Sequence, residues 1–255
     1  AVFNPEDLNA LEQALRLKDQ NPGSTVTIVT MGPPRAAEII REGLYRGADN
    51  GYLLSDRAFA GADTLATSYA LARTIEKIGV PDLVIGGRQA IDGDTAQVGP
   101  QVAQKLNMPQ VTYVEDVLSC ADGKIVVKRH IDGGVETVEA PLPVVLTVNG
   151  SAAPCRPRNA KLVMKYKRAM APMEMPAEGL PYAEEYEKKP YLTLGQLSAA
   201  DVEADLAQCG LSGSPTKVKA IENIVFKAKE SKVLTASDAD VESLIQELLA
   251  NHTIG

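Results

Sequence analysis

The feature that most constrains this chain is the repeated switch between helical and strand periodicity across residues 4–106. Asn4 is a good N-cap, and Pro5 suits a first helical position because it lacks the N–H that would go unpaired there. Leu8, Leu11 and Leu15 then share one helical face until Asn21-Pro22-Gly23 breaks the pattern. The β-branched run Thr25–Thr30 follows, then a helical pattern from Ala36 to Tyr45 and a short strand at Tyr52–Leu54. A helix through Leu65, Ala72 and Ile75, a buried strand at Asp82–Gly86 and a helix near Gln97–Leu106 continue the series. Such alternation predicts an α/β fold with a mostly parallel, doubly wound sheet. The strands are apolar runs rather than strict alternations, as expected when helices cover both faces.

After Pro109 the pattern changes. Ile125–Ile131 and Val135–Glu139 flank Asp132-Gly133-Gly134, which predicts an inserted hairpin, and Pro143–Val148 reads as another buried strand. The α/β domain is therefore expected to span 1–150. Residues 151–255 are rich in proline and poor in periodicity, so they are expected to form an extended arm that wraps a partner subunit. That arm should end in a helix at about 238–250, capped by Ser237, with Val241, Leu244, Ile245, Leu248 and Leu249 on one face.

Composition narrows the classes. Lys+Arg number 26 against 33 Asp+Glu, a formal charge of −7, and there is no Trp, so a nucleic-acid platform is disfavoured. No apolar run approaches the ~18 residues that a membrane span needs, and no signal segment opens the sequence, so a cytoplasmic protein without membrane insertion is expected. Cys120, Cys155 and Cys209 suggest neither a disulfide framework nor a metal clip, and two histidines make a His-based metal site or triad improbable. The cations Arg156, Arg158, Lys161, Lys165, Lys167 and Arg168 have no acid among them. They read equally as a solvated arm or as a contact to a partner or anionic cofactor.

The strongest local feature runs from Gly86 to Pro100, between a buried strand and a helix, where open α/β sheets bind ligands. Gly86, Gly87 and Gly93 admit close backbone approach, and Thr95, Ala96 and Gln97 offer free N–H groups suited to phosphate. Asp92 and Asp94 would instead serve ribose hydroxyls, loop shape or capping. An ordinary capped strand-to-helix loop remains the plain alternative, and an Asp-x-Asp metal site is weaker because calcium-loop spacing is missing. Two other junctions are expected at the same edge: Thr30-Met31-Gly32-Pro33-Pro34, and Gly61–Ser68 with Asp63, Thr64, Thr67 and Ser68 near a helix start. None is a Walker loop or a GxGxxG, which disfavours an ordinary ATPase or dehydrogenase.

The stretch Gly87-Arg88-Gln89-Ala90-Ile91-Asp92-Gly93-Asp94-Thr95-Ala96-Gln97-Val98-Gly99-Pro100 resembles the beta (small) subunit of electron transfer flavoproteins. Asn4-Pro5-Glu6-Asp7, Met31-Gly32-Pro33, Gly47-Ala48-Asp49, Ile131-Asp132-Gly133-Gly134, Leu142–Thr147, Pro157-Arg158 and Gly213-Ser214-Pro215-Thr216 follow in matching order. The resemblance implies a heterodimer with an alpha subunit that carries FAD. In one branch the beta subunit holds structural AMP; in the electron-bifurcating branch it holds a second FAD, reduced by NADH. Ser55–Ser68 is similar to the bifurcating branch, so FAD is expected, with AMP as the alternative.

Carried over, the loop from Gly87 through Arg88, Gln89, Ala90, Ile91, Asp92, Gly93, Asp94, Thr95 and Ala96 to Gln97 would hold the nucleotide. Asn4, Met31, Gly32, Asp63, Thr64 and Thr67 would complete the pocket, and Arg88 would either favour reduced, anionic flavin or bind phosphate. Leu194 and Leu197 resemble part of a loop that docks an acyl-CoA dehydrogenase. Ferredoxin or flavodoxin would take the low-potential electron. Family members carry a strand ahead of the Asn-Pro element, whereas this sequence opens at Ala1 directly before it; the expectation is that the numbered sequence omits that strand. An adenine-nucleotide-sensing module without redox chemistry, and a purely structural subunit, are the readings from other classes.

Overall fold

The computed structural model describes residues 1–176, 179, 183–217 and 231–254. The chain divides into two compact units, Ala1–Lys217 and Val218–Gly255. In the first, helix α1 (Pro5–Gln20) leads to strand β1 (Thr27–Met31), helix α2 (Ala37–Arg46), strand β2 (Asn50–Leu54) and helix α3 (Thr64–Ile78). Strand β3 (Leu83–Gly87), helix α4 (Val98–Lys105), and strands β4 (Gln110–Ala121), β5 (Lys124–Ile131), β6 (Gly134–Pro141) and β7 (Val144–Val148) follow. Short helices α5 (Ala160–Tyr166) and α6 (Ala183–Lys188) and strand β8 (Gly195–Leu197) complete it. The second unit contains helix α7 (Asp238–Ala250), where the Ser237 hydroxyl accepts from the Asp240 N–H as the expected cap.

The fold is α/β, as the alternation predicts, but the strands pair as two sheets rather than one. β1, β2 and β8 form a parallel sheet. The other has the order β3–β7–β4–β5–β6, parallel among its first three strands and antiparallel across the hairpin. Among the described residues, β1 and β3 each pair on one side only. Helix α1 serves both sheets. Its Ala10 and Leu17 join the core on the five-stranded sheet, while Leu11 and Leu15 face Gly43 and Gly47 of α2. Gly47, with φ of +125°, ends α2 in a backbone conformation that side chains resist.

Strand β4 was not legible. Its inward residues Val111, Val114, Val117 and Cys120 recur every third position, not every second, because its pairing slips at bulges beside them. The stretch after Gly150, expected as an extended arm, packs on its own chain as far as Lys217. Tyr166, Ala169, Ala171, Leu192 and Leu194 share a core cluster with Ile40, Leu44 and Leu53, and β8 extends β2. Its three arginines find carboxylates here: Arg156 meets Glu12 at 3.0 Å and Asp19 at 2.9 Å, Arg158 meets Glu42 at 2.7 Å, and Arg168 meets Glu185 at 2.9 Å. Burial would push the Glu12 carboxyl up, but the bonds from Arg156 and Arg16 hold it below the ordinary range.

Strand β7 is buried along its whole length between β3 and β4, and Leu146 is 0% exposed. Leu146→Ala should cost about 2–5 kcal/mol by the transfer and cavity terms of a core truncation, seen as a lower urea midpoint with unchanged slope.

Candidate functional site

The carboxyl ends of β3 and β7 meet at one edge beside the middle of β4, where Val148 lies opposite both Gly87 and Val114. Residues 87–97 leave β3 from this edge, and the first turn of α1 grips their beginning. Asp7 Oδ1 accepts the Gly87 N–H at 2.5 Å, and Glu6 Oε2 accepts the Gln89 N–H at 3.1 Å. Asn4 donates to the Gln89 carbonyl at 2.8 Å and to Asp7 Oδ2 at 3.0 Å, and accepts the Ile91 N–H at 3.2 Å. Glycine is required at 87: a Cβ would stand 2.7 Å from the backbone nitrogen of Asp7, which cannot step aside. Burial pushes the Asp7 carboxyl above its usual value against the pull of the Gly87 N–H and Asn4, and neighbouring Glu6 adds to the rise.

Beyond Ile91 the loop is exposed and its donors are open. Among the described residues, the N–H groups of Asp92, Gly93, Thr95, Ala96 and Gln97 have no hydrogen-bond partner, while Asp94 donates to the Ala90 carbonyl at 3.0 Å. Asp94 and Ala96 adopt left-handed φ values of 52° and 53°, and Gln97 returns to the right-handed region. Alternating hands turn successive N–H groups toward one side, the geometry of an anion nest. A Cβ on Gly93 would meet nothing within 4 Å, so a ligand can reach the backbone there. The Gln89 side-chain amide donates to the Asp94 carboxylate and pins it within the loop.

The start of α3 joins this loop through a side chain. The Thr64 hydroxyl donates to Gln97 Oε1 at 2.8 Å. Asp63 Oδ1 caps α3 by accepting from Leu65 and Ala66, Oδ2 accepts the Thr216 N–H at 3.0 Å, and the Asp63 N–H donates to Ser214 Oγ at 2.8 Å. Burial would raise the Asp63 carboxyl, but the N–H groups of Ala66, Thr216 and Leu65 together with Ser214 hold it below the usual carboxylate range. The N–H groups of Leu65 and Ala66 at this helix start are therefore taken by its own cap. Ser68 is also occupied: its hydroxyl donates to the Leu65 carbonyl and to Gln101. The Thr67 hydroxyl has no partner among the described residues.

The structure thus joins Asn4, Thr64 and the 87–97 loop by direct bonds. Met31 and Gly32 stand at the carboxyl end of β1, and among the described residues no hydrogen bond ties them to that loop. Met31 packs on the cluster of Leu54 and Ala70, and the Gly32 N–H donates to the Leu54 carbonyl at 3.0 Å. Leu194 is buried just before β8, and Leu197, the expected apolar anchor, lies within β8 and is partly buried beside Leu54. Arg88 does not point free into the loop either, since Glu6 binds its guanidinium at 3.2 Å. Sequence reasoning missed Glu6, Asp7, Ser214 and Thr216. Glu6 and Asp7 carried a signal, two carboxylates in a first helical turn, that reads equally as support for the helix dipole.

The donor set fits a phosphate-bearing nucleotide. Open N–H groups in a nest suit the phosphate, and the exposed carboxylates of Asp92 and Asp94 suit hydroxyls but oppose a bare anion. Among the described residues no cluster of three or more metal-ligating side chains occurs, and no helix is long and apolar enough to cross a membrane.

Comparison with known proteins places the chain among electron transfer flavoproteins. The model of the electron transfer flavoprotein domain matches residues 1–174. The subunit CarD of the caffeyl-CoA reductase-Etf complex from Acetobacterium woodii is 58% identical over 147 residues, which are 58% of this chain and 56% of that protein. The electron transfer flavoprotein subunit beta of Megasphaera elsdenii is 40% identical over 96% of this chain and 87% of its own length. The corresponding subunit of Thermoanaerobacterium thermosaccharolyticum is 41% identical over 100% and 88%.

Asp63→Ala should cost about 1 kcal/mol through loss of the helix cap. Because the folded-state value lies below the unfolded one, this contribution is complete above the ordinary carboxylate range and vanishes as pH falls through the folded value. Denaturation of parent and variant across pH 3–7, roughly the range that brackets a carboxylate, should show the gap closing at the acid end.

Proposed function

The chain belongs to the electron transfer flavoprotein family, as a beta subunit, and on that premise we propose that it binds FAD at the 87–97 loop. When bound, FAD would supply the redox chemistry of accepting hydride from NADH and passing electrons to ferredoxin or flavodoxin and, through the alpha-subunit FAD, to an acyl-CoA dehydrogenase, with residues 87–97 of this chain holding it. The protein supplies position and electrostatics. One observation carries the reading: open N–H groups at Asp92, Gly93, Thr95, Ala96 and Gln97, with left-handed residues at Asp94 and Ala96, lie beside the hydroxyl of Thr64.

In this reading the nest holds the pyrophosphate. Thr64 orients the Gln97 side chain, Thr67 offers a second hydroxyl, and Asp92 faces solvent where it can accept from ribose. Asn4, Glu6 and Asp7 hold the base of the loop so that its donors are in place before the nucleotide arrives. No side chain is asked to act as acid, base or nucleophile. CarD, by its name a subunit of a reductase–Etf complex, supports the assignment to a multi-subunit electron-transfer assembly. The partner alpha subunit follows from the beta-subunit relatives.

Denaturing the purified heterodimer and identifying what is released tests the proposal. Two FAD per heterodimer are expected. One FAD with one AMP would overturn the bifurcating assignment, and adenine nucleotide with no flavin would favour a sensing module. Thr95→Val combined with Gln97→Ala should weaken FAD retention about tenfold, equivalent to ~1.4 kcal/mol, and remove one of the two flavins on gel filtration.

A further inference from the structure

Strand β7 ends beneath the first turn of α4, and a polar residue stands there. Val145 and Thr147 share the α4 face of the sheet. Val145 packs with Ala103 and Met108, while the Thr147 methyl lies so close to Gly99 that a Cβ at 99 would stand 2.5 Å from it. Glycine at 99 is what lets α4 settle on Thr147. In register beside Thr147 is Gly86 of β3, where a Cβ would meet nothing nearer than Asp7 Oδ1 at 3.7 Å, so no side chain fills the adjoining space.

Thr147 is 2% exposed, and its hydroxyl has no hydrogen-bond partner among the described residues. The buried side chains of Glu12, Gln13, Ser68, Thr74 and Ser214 all have partners. A buried hydroxyl left unpaired costs stability, so its presence requires a reason. This one is not sealed. Among the described residues, Arg46 Nε is the side-chain polar atom that is both enclosed and unpartnered, so Thr147 Oγ1 still reaches open space. Deeper in the sheet Val145 is closed over by Ala103 and Met108, which leaves the carboxyl edge, at the start of α4, as the open side.

The start of α4 is itself unsatisfied. Gln97 gives it no side-chain cap, and the N–H groups of Val98 and Gly99, like those of Thr95, Ala96 and Gln97, have no partner among the described residues. Helix α3, by contrast, is capped by Asp63. Free N–H groups at the positive end of a helix favour an anion. A hydroxyl whose proton can rotate toward that anion adds a further donor.

We propose that Thr147 is a phosphate-contact residue, its hydroxyl donating to an oxygen of the phosphate group that the start of α4 holds. The inference rests on the nucleotide reading of the 87–97 loop, but the phosphate of any adenine nucleotide would satisfy it. A bound water is the rival partner, and it would leave ligand affinity unchanged when the hydroxyl is removed.

Thr147→Val tests the contact because it keeps the methyl against Gly99 and removes only the hydroxyl. In the heterodimer freed of its nucleotide, this variant should bind ADP about tenfold more weakly than the parent and adenosine equally well. Without nucleotide it should unfold at a higher urea concentration than the parent, because an unpaired buried hydroxyl has gone. Thr147→Ser keeps the hydroxyl and loses the methyl, so it should hold ADP as the parent does and unfold at a lower urea concentration. Equal losses for ADP and adenosine, or no loss for either, would overturn the phosphate contact. So would a serine variant that binds ADP as weakly as the valine variant. A parent heterodimer that fails to bind ADP would overturn the nucleotide reading as well. The choice of FAD is judged apart from this, by the molecule that the parent releases on denaturation.

Discussion

The candidate site depends on one arrangement: the first turn of α1 turns its side chains onto a loop that is not its own. Asn4, Glu6 and Asp7 accept three of the N–H groups between Gly87 and Ile91, and Asn4 also donates to the Gln89 carbonyl. Polar backbone near a sheet edge must find partners or water, and a loop without them would be free to move. By taking the N–H groups of Gly87, Gln89 and Ile91 onto α1 and its cap and that of Arg88 onto Val148, the fold ties down the start of the loop, while the N–H groups of Asp92, Gly93, Thr95, Ala96 and Gln97 stay open. Gly87 makes the arrangement possible because only a residue without Cβ lets β3 come so near the backbone of Asp7.

The same helix carries the second set of long-range ties. Glu12, 6% exposed, holds Arg156 and Arg16, and Lys18 reaches Asp49 at 2.6 Å beyond the end of α2. A buried carboxylate is costly unless paired, so Glu12 commits the chain after Gly150 to returning across α1. The two acidic neighbours in the first turn behave differently. Asp7 is buried with neutral donors only, and its carboxyl is raised; the folded state therefore holds that proton more tightly than the unfolded chain, and the stability it brings at acid pH fades as pH rises through the folded value. Glu6 instead faces the Arg88 guanidinium, 3.2 Å away.

Most of the α/β alternation was legible because each element there obeys a single period. Helix α1 announces itself by Asn4, Pro5 and a leucine face, and β7 by an unbroken apolar run. The loop was legible as a ligand loop because glycines and short polar residues follow a buried strand. Three things were not. The grip of α1 joins residues some eighty positions apart, and nothing local in Asn-Pro-Glu-Asp says whether its carboxylates serve a helix dipole or a distant N–H. Strand β4 breaks its own period at bulges. Leu194 and Leu197 read as a surface loop because a three-residue strand carries no periodic signal, yet β2 already offers the edge on which Gly195–Leu197 pairs.

The loop beyond Ile91 combines features that oppose one another unless a ligand is meant to be there. Left-handed backbone costs roughly 1–2 kcal/mol for a residue with a Cβ; aspartate tolerates it better than alanine, so Ala96 bears the larger strain. An ordinary capped loop has no reason to hold Ala96 there while leaving its N–H and those of its neighbours without partners. The strain becomes intelligible if it is the cost of preorganisation: donors already turned toward one point need not be ordered when an anion binds, and part of the binding free energy offsets the strain. The carboxylates set the limit on what that anion can be. Gln89 ties Asp94 down, but Asp92 stays exposed, and a small free anion would meet its repulsion with nothing to offset it. A phosphate ester that also brings hydroxyl groups would bond the nest through one part and Asp92 through another. In the proposed reading the N–H groups supply the attraction and Asp92 the selectivity for a nucleotide over inorganic phosphate.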